Sequence, residues 1–329
     1  MKDINLSIEK RIMDIPQQMI DAVLSSDKIV VVGHKDPDLD CLGAQLGLSY
    51  ALNLMGKEVI TVNTGPFDNM LIKNLKKYFK TDYTGNFDLL VAVDTPNIDR
   101  LAICNNNLSV EKIVVVDHHL TNDKFGFVNW IEDYYISTCE MIYLLIKRLK
   151  LSIDKKTAQH LLNGILADNG YFRHIRNDKY FSLGIIHHLI ENGADIKLGY
   201  DKLYGNRTLN SLRLLSVVIG RVRGYMDDRV LFAYLTDDDI KTYNANLDTS
   251  KVFEELLLIN GLEVAIFIKY DASNELSKIS LRSTGKVNVA AVAAKMGGGG
   301  HKLAAGAAVP MTIDKAENLV VTTIQSFLK

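Results

Sequence analysis

The stretch KIVVVGHKDPDLD, residues 28–40, decides the fold of this chain. Its first part, residues 29–33, is an apolar run rich in β-branched residues and unbroken by polar alternation, which is typical of a parallel strand buried on both faces. The run leads directly into His34, and a short loop then supplies the carboxylates of Asp38 and Asp40. Because open parallel sheets place their chemistry just beyond the carboxyl ends of the strands, we predict a site here.

Three further apolar runs of the same kind follow along the chain, at residues 59–63, 89–93 and 113–116. The second of these leads into Asp94, and the third leads into Asp117, His118 and His119. Between the first two strands, residues 41–55 are mostly apolar and are followed by Gly56, which indicates a packed crossover helix with a glycine at its end. The pattern predicts an α/β fold with a mainly parallel sheet flanked by helices.

Later segments complete the first domain and predict a second, smaller α/β domain. Helices predicted at 137–149, 155–166 and 179–192 would cover the first sheet. Strands predicted at 229–235, 262–270 and 277–282, with helices at 250–259, 287–296 and 316–327, form the second domain. Residues 207–225 have helical spacing and are interpreted as a linking helix. We therefore predict a first domain at 1–197, a linker region at 198–226 and a second domain at 227–329, with the active site in a cleft between the domains.

Composition excludes several classes of protein. The chain has 329 residues and a net charge of −1, so it has no global field that would gather long nucleic acid. Cys41, Cys104 and Cys139 are widely spaced, which argues against a disulfide framework or a thiolate zinc site and favours small buried residues in a reducing compartment. No apolar signal segment or membrane-spanning run is evident, so we expect a soluble cytoplasmic protein.

The polar residues that follow the strands predict a metal centre. They are joined by one acid from the stretch 164–170, and together they comprise His34, Asp38, Asp40, Asp94, His118 and Asp168. Four carboxylates at one place would repel one another strongly unless cations neutralised them. Oxygen and imidazole donors favour manganese or magnesium, with iron, cobalt or zinc as alternatives. Two such ions about 3.5–4 Å apart suit phosphate ester hydrolysis.

The adjacent histidines require separate interpretations. Successive residues leaving a strand point to opposite sides, so His118 and His119 are not expected to ligate the same ion easily. One is predicted to be a ligand and the other to have a different role. Asp117, at the end of the strand, either orients a neighbouring imidazole or caps the loop.

A run of four glycines near the C terminus predicts an anion-binding segment. Residues 297–300 follow a helix-like stretch, so the first glycine is also a candidate helix cap. Without Cβ atoms, Gly298, Gly299 and Gly300 would let backbone N–H groups approach an anion, and the nearby His301 and the upstream Arg282 would add positive charge.

These motifs resemble those of a known family. His34-x-x-x-Asp38-x-Asp40, the lone Asp94, Asp117-His118-His119 and Asp168 in ADNGYFR look like the four ordered motifs of the DHH phosphoesterase superfamily, and GGGGHKLAAG at 297–306 is similar to the signature of the DHHA1 domain. Within the superfamily the chain most resembles the nanoRNases, which are bifunctional oligoribonucleases and 3′-phosphoadenosine 5′-phosphate (pAp) phosphatases. The resemblance covers nearly the whole chain.

The resemblance implies a role for each site residue. One metal would be held by His34, Asp38 and Asp94, and the other by Asp40, Asp94, His118 and Asp168, with Asp94 bridging. His119, Arg173 and His174 would face the phosphate, while Arg282 and the segment from Gly298 to His301 would position the substrate. Leu39, Ala44 and Asn169 depart from the usual pattern without removing a ligand, and they leave substrate preference open.

The implied substrates are short RNA or pAp, with Mn²⁺ as the expected ion and Mg²⁺ or Co²⁺ as alternatives. Hydrolysis of cyclic di-AMP or its linear product pApA is a rival within the same class. Inorganic pyrophosphatase and an exonuclease acting on long DNA fit the sequence less well. From a different class, a non-catalytic nucleotide-binding module is disfavoured because every metal ligand is retained. We expect no long duplex and no membrane partner, and a homodimer stays open.

Overall fold

The computed structural model describes residues 2–68, 71–81, 83–103, 108–173, 175, 177–205 and 207–328. The chain divides into two compact units, which join at residues 206 and 207. Two residues interpreted above, Cys104 and His174, lie outside the described residues. No helix in the described part of the chain is long and apolar enough to cross a membrane.

The first unit is built on a five-stranded sheet in which every pairing is parallel. The strands are β1 (Lys28–Val32), β2 (Glu58–Val62), β3 (Gly85–Val93), β4 (Leu108–Asp117) and β5 (Val128–Ile131). Their order is β2-β1-β3-β4-β5, so the three strands that lead into the predicted ligands are immediate neighbours. The four predicted strands and the parallel sheet are confirmed. The fifth, β5, was not predicted because its four residues alternate in burial instead of forming an apolar run.

Helices of the first unit cover one face of this sheet. They are α1 (Lys2–Met13), α2 (Gln17–Ser25), α3 (Leu39–Leu54), α4 (Thr138–Arg148), α5 (Lys155–Asp168), α6 (Phe181–Glu191) and α7 (Ile196–Tyr204). Residues from several of these helices form one core with alternate β1 residues such as Ile29 and Val31. The intervening residues Val30 and Val32 point to the other face, where connecting segments bury them. The helices α1 and α2 were not predicted from the charged N-terminal sequence.

Glycines bring α3 and α5 close together. A Cβ added at Gly43 in α3 would lie 2.6 Å from the backbone oxygen of His160 in α5. A Cβ added at Gly164 in α5 would lie 2.4 Å from the sulfur of Cys139 and 3.0 Å from the Cα of Asp40. Contacts this short leave no room for a side chain, so the helices cross where their backbones can approach. The crossing holds the start of α3, which carries Asp40, against α5.

The second unit is also α/β and has a six-stranded sheet. Its elements are α8 (Leu209–Gly220), β6 (Arg223–Tyr225), β7 (Val230–Thr236), α9 (Asp237–Tyr243), α10 (Thr249–Leu256), β8 (Val264–Asp271), β9 (Leu276–Ser283), α11 (Val289–Ala294), β10 (Gly299–His301), β11 (Ala304–Val309) and α12 (Ile313–Gln325). The strand order is β10-β11-β9-β8-β7-β6, and only β7 and β8 pair in parallel. The predicted smaller α/β domain is confirmed, while β6, β10 and β11 were not predicted.

The glycine run forms part of a strand hairpin. Gly297 follows α11 with a φ of +75°, as a residue that ends a helix commonly does. A Cβ on Gly298 would lie 2.1 Å from the oxygen of Gly306, and one on Gly300 would lie 2.5 Å from the Cα of Ala305. Packing against β11 therefore accounts for these two glycines. Gly299 would have open space around a Cβ, as would Gly297, since no atom lies within 4 Å of either position.

The contact between α3 and α5 predicts that Gly43→Ala destabilises the protein. The added methyl group meets backbone, which cannot rotate away, and overpacking of this kind costs about 1–3 kcal/mol. We expect a lower Tm in thermal unfolding of the full chain followed by circular dichroism. Gly220→Ala is the matched control, because the Cβ at the end of α8 meets nothing within 4 Å. An equal loss of Tm in both variants would contradict the packing argument.

Candidate metal centre

The predicted ligands meet at the carboxyl edge of the first sheet. His34 lies two residues after the end of β1, Asp94 follows β3 directly, and His118 follows β4 directly. These strands are adjacent in the order β1-β3-β4, so their ends are neighbours. Asp168 is the last residue of α5, and Asp40 lies in the first turn of α3. The structure thus brings together residues that are far apart in the sequence.

Asp94 lies at the middle of this group and faces two histidines. Its Oδ2 atom is 3.5 Å from Nε2 of His34, and its Oδ1 atom is 3.6 Å from Nε2 of His118. The residue is 1% exposed and has a φ of +54°, in the left-handed region that non-glycine residues seldom adopt. In this conformation each carboxylate oxygen faces a different side of the site.

The remaining carboxylates lie on these two sides. Asp38 Oδ1 is 4.0 Å from Nε2 of His34. On the other side, Asp168 Oδ2 is 3.5 Å from Nε2 of His118, and donor atoms of Asp40, His118 and Asp168 all lie within 4.8 Å of one another. Two sets of oxygen and nitrogen donors therefore adjoin the single carboxylate of Asp94.

Backbone carbonyls orient both imidazoles. Nδ1 of His34 lies 2.7 Å from the oxygen of Lys35, and Nδ1 of His118 lies 3.4 Å from the oxygen of Tyr135. A carbonyl oxygen only accepts, so each Nδ1 carries a proton and each Nε2 is turned towards the carboxylates, where its lone pair would be available to a bound ion. Metal-binding histidines commonly have this arrangement, in which a hydrogen bond on one nitrogen fixes the other for the ion.

The crowded acids fit divalent cations. Burial, and then the charges of Asp94 and Asp38, raise the pKa of Asp40 well above its usual value. Desolvation, and then the charge of Asp40, likewise raise the pKa of Asp168. Burial also opposes ionisation of Asp94, but the contact with His34 and the charge of His118 outweigh it and lower its pKa to about 2. A cation would relieve the repulsion that the first two pKa shifts report.

The start of α4 holds Asp40 and was not predicted as part of the site. Asp40 Oδ2 accepts a hydrogen bond from the N–H of Thr138 at 2.7 Å, and Oδ1 accepts one from the N–H of Cys139 at 2.9 Å. The hydroxyl of Thr138 also donates to Asp94 at 2.9 Å. The helix itself was predicted at 137–149, and the sequence Ser137-Thr-Cys-Glu140 has the pattern of a helix start. That pattern does not say what the helix start contacts.

His118 and His119 both approach Asp94, contrary to the expectation that they would point to opposite sides. Nδ1 of His119 is 3.6 Å from Asp94 Oδ1, and the two imidazole centroids are 4.6 Å apart. The expectation assumed an extended strand, but β4 ends at Asp117 and the alternation of a strand does not continue into the following turn. Nδ1 of His119 makes its shortest contact, 2.7 Å, with Asp117 Oδ1.

Asp117 and Asn122 hold His119 in place. Asp117 Oδ2 accepts a hydrogen bond of 2.6 Å from Asn122, and Oδ1 accepts one from the backbone N–H of His119 at 3.2 Å. The hydrogen bond to Asp117 raises the pKa of His119 to about 9. At neutral pH the imidazole is therefore protonated and carries an N–H on Nε2. Asn122 was not among the predicted site residues, and no motif singled it out.

The buried Cys41 also adjoins the site. Its sulfur accepts a hydrogen bond from the N–H of His34 at 3.2 Å, and it lies within 4.8 Å of donor atoms of His34 and Asp94. Burial raises the pKa of this thiol well above its usual value. The predicted burial of Cys41 and Cys139 is confirmed.

Arg173 is exposed in the turn that follows Asp168. The turn contains three successive residues with positive φ, Gly170, Tyr171 and Phe172. The side-chain oxygen of Asn169 accepts a hydrogen bond from the N–H of Phe172 at 2.8 Å and closes the turn. Asn169, which departs from the family pattern, therefore has a structural role here.

In the second unit, Arg282 and His301 share one face of the sheet. Ala304 pairs with Arg282 on one side and with His301 on the other, so the three residues lie in one row across β9, β11 and β10. The guanidinium of Arg282 lies 4.9 Å from the ring centroid of Phe253. Ala304, which lies between the two basic residues, has a small side chain.

Comparison with known proteins identifies the family. The model of the DHH family N-terminal domain matches residues 28–165, and that of the DHHA1 domain matches residues 227–329. The bifunctional oligoribonuclease and PAP phosphatase NrnA of Thermus thermophilus is 30% identical to this chain over 303 residues, which cover 91% of this chain and 90% of the relative. The chain belongs to the DHH family.

Other members of the family are also similar. The cyclic-di-AMP phosphodiesterase GdpP of Geobacillus thermodenitrificans is 27% identical, and the match covers 93% of this chain but 48% of that protein. The crystal structure of an exopolyphosphatase-related protein from Bacteroides fragilis superposes with a TM-score of 0.80 at 25% identity, covering 95% of this chain and 97% of that one. Both the order of the two domains and their fold are thus those of DHH proteins.

The geometry predicts different effects for two site residues. Asp94→Asn should abolish turnover and lower the amount of bound Mn²⁺, because an amide is a poor substitute for a carboxylate that faces both sides of the site. His119→Ala should impair turnover while bound Mn²⁺ stays near the wild-type level, because Asp117 already engages Nδ1 of this imidazole. Metal content measured by elemental analysis, alongside steady-state kinetics, checks both expectations. Equal loss of metal in the two variants would refute the division of roles.

Proposed function

We propose that this protein is a two-metal phosphoesterase that hydrolyses very short oligoribonucleotides to 5′-mononucleotides and removes the 3′-phosphate of pAp. The observation that carries the proposal is the placement of Asp94, whose two oxygens face two separate sets of imidazole and carboxylate donors. The similarity to NrnA proteins over nine-tenths of the chain supports the substrate class. Oxygen-rich donor sets favour Mn²⁺, with Mg²⁺ or Co²⁺ as alternatives.

The proposed ligand sets follow the two sides of Asp94. His34 and Asp38 would hold one ion, Asp40, His118 and Asp168 would hold the other, and Asp94 would bridge. When bound, two divalent cations would activate water and stabilise negative charge on the phosphate. Both proposed positions would then lie at the sheet edge, on either side of Asp94.

His119 is proposed to bind the phosphate directly. Its pKa of about 9 keeps the imidazole charged at neutral pH, and Asp117 holds the ring through Nδ1, so the Nε2–H is available to donate to a phosphate oxygen. A charge-assisted hydrogen bond of this kind strengthens as negative charge develops on the phosphate. Arg173, which is exposed five residues after the end of α5 at Asp168, is proposed to add a second positive charge.

The second unit is proposed to contribute substrate binding. Arg282 and His301 lie in one row on a sheet surface, separated by Ala304, and both can donate hydrogen bonds to an anion or a base. Gly299, with open space above its backbone, is proposed to leave room for the ligand, while Gly298 and Gly300 keep β10 close to β11. In this proposal the first unit catalyses hydrolysis and the second unit binds the substrate.

Hydrolysis of cyclic di-AMP or pApA is the second candidate function. Cyclic-di-AMP phosphodiesterases from Geobacillus thermodenitrificans and Listeria monocytogenes are each 27% identical to this chain over more than nine-tenths of its length. The chain spans about half the length of these two proteins. The same metal centre could hydrolyse either diester. A comparison of kcat/KM between the substrates therefore decides between the two candidate functions. A cytoplasmic location stays a prediction from the sequence, and a homodimer stays open.

Substrate length provides one test. The near-zero net charge implies few phosphate contacts, and each neutralised phosphate on a single strand contributes a slope of about −0.7 to the dependence of log affinity on log salt. We expect a shallow salt dependence, and a much higher kcat/KM for a 3-mer RNA than for a 24-mer in Mn²⁺. The same assay should include pAp and cyclic di-AMP. Comparable kcat/KM on both RNA lengths would refute the short-substrate proposal, and a dominant rate on cyclic di-AMP would favour the second candidate.

Loss of the basic residues in the second unit provides another test. Removal of one charged contact should cost about 1.5–3 kcal/mol, or one to two powers of ten in kcat/KM on dinucleotides and pAp. Arg282→Ala and His301→Ala should largely spare a small diester such as bis-p-nitrophenyl phosphate, which is too short to need those contacts. Lys278→Ala, an exposed position on the same face of β9, is the matched control and should leave all substrates unaffected. A proportional loss on all substrates in the Arg282 and His301 variants would show that these residues do not act through substrate binding.

A further inference from the structure

Thr138 contacts both of the carboxylates that lie deepest in the metal centre. Its N–H donates to Asp40 Oδ2, and its hydroxyl donates to Asp94 Oδ1. We propose that Thr138 is a positioning residue that fixes these two carboxylates relative to each other. It would thereby set the geometry of the metal position proposed for Asp40, Asp94, His118 and Asp168. The inference rests on the proposed two-metal function and assigns a role to a residue outside the ligand set.

The contact with Asp40 comes from the first turn of α4. Thr138 and Cys139 donate their backbone N–H groups to the two oxygens of Asp40, at 2.7 and 2.9 Å. Backbone N–H groups in the first turn have no partner within the helix, and the helix N terminus favours a negative charge. Asp40 is fully buried, so water has no access to replace these bonds. The helix therefore fixes the plane of this carboxylate.

The hydroxyl of Thr138 controls the orientation of Asp94. An ionised carboxylate only accepts, so the hydroxyl must donate its single proton to Oδ1, at 2.9 Å. Oδ1 is the oxygen that faces His118, and the other oxygen faces His34. Rotation of the carboxylate about its Cβ–Cγ bond would break the hydrogen bond and misalign both sides at once. Thr138 is fully buried, which restricts its own rotation.

The position of α4 is itself fixed. The hydroxyl of Ser137 accepts a hydrogen bond from the N–H of Glu140 at 3.3 Å, and the Glu140 carboxylate accepts one from the N–H of Ile136 at 3.0 Å. These two bonds cap the start of the helix. The first residue of the helix, Thr138, is consequently held at one place relative to the ends of β3 and α3.

The test separates the hydroxyl from the rest of the side chain. Thr138→Val keeps the branched shape and the N–H but removes the hydroxyl, whereas Thr138→Ser keeps both the hydroxyl and the N–H. Mn²⁺ binding to the full chain is titrated by electron paramagnetic resonance, which reports free Mn²⁺ and the spin-coupled spectrum of an ion pair. Loss of an outer partner of a metal ligand typically weakens metal affinity 10–100-fold. We expect a loss of Mn²⁺ affinity of about this size in Thr138→Val, with a reduced coupled signal, and wild-type behaviour in Thr138→Ser.

Thr157→Val is the matched control. Thr157 is also fully buried in the first turn of a helix, α5, and its hydroxyl has no hydrogen-bond partner among the described residues. The control should bind Mn²⁺ like the wild type. Thermal unfolding without metal shows whether the Thr138→Val variant is folded. If it is not, Thr138→Ser still decides, because loss of Mn²⁺ affinity there overturns the proposal.

The outcomes distinguish this inference from the proposed function. Wild-type Mn²⁺ affinity and a full coupled signal in folded Thr138→Val, with the wild type active, would overturn the positioning role alone. A wild-type chain that binds no more than one Mn²⁺ would overturn the two-metal function and this inference together. Weak binding in Thr138→Val with normal binding in the serine and Thr157 variants supports the role of the hydroxyl.

Discussion

The structure of the site depends on one buried carboxylate. Asp94 is almost inaccessible to solvent, yet its pKa is lowered to about 2 because His34 and His118 face its two oxygens. A buried charge without such partners would be costly, so the surrounding groups have to be placed accurately. The three central strands end side by side around this residue. The order of the parallel strands thus determines which side chains can share one carboxylate.

Backbone groups rather than further side chains provide much of the support. Carbonyl oxygens orient the imidazoles of His34 and His118, and the N–H groups at the start of α4 hold Asp40. Backbone groups are fixed by secondary structure, so they restrict the ligands without the entropy cost of ordering additional side chains. The close crossing of α3 and α5 at Gly43 and Gly164 contributes in the same way, because it leaves the helix carrying Asp40 little freedom to move.

The second unit shows a different use of small residues. Two of the four consecutive glycines are explained by the contact of β10 with β11, and a third, Gly297, ends α11 in the left-handed region. A glycine-rich stretch therefore does not by itself define an anion site. The stronger observation is the row formed by Arg282, Ala304 and His301, which depends on strand register.

The sequence by itself determined the parallel sheet of the first unit and the α/β class of both units, and it predicted one site for six residues. It did so because continuous apolar runs identify buried strands, and because parallel strands direct their ends to one edge. The short strands β5, β10 and β11 escaped prediction, since alternating or glycine-rich segments of three to six residues carry little periodicity. Only the tertiary structure decided that both His118 and His119 approach Asp94, and that Thr138 connects Asp94 to Asp40. These contacts join residues that are far apart in the chain. They depend on the direction in which α4 begins and on the point where the pleat of β4 ends, and neither feature leaves a pattern in the local sequence.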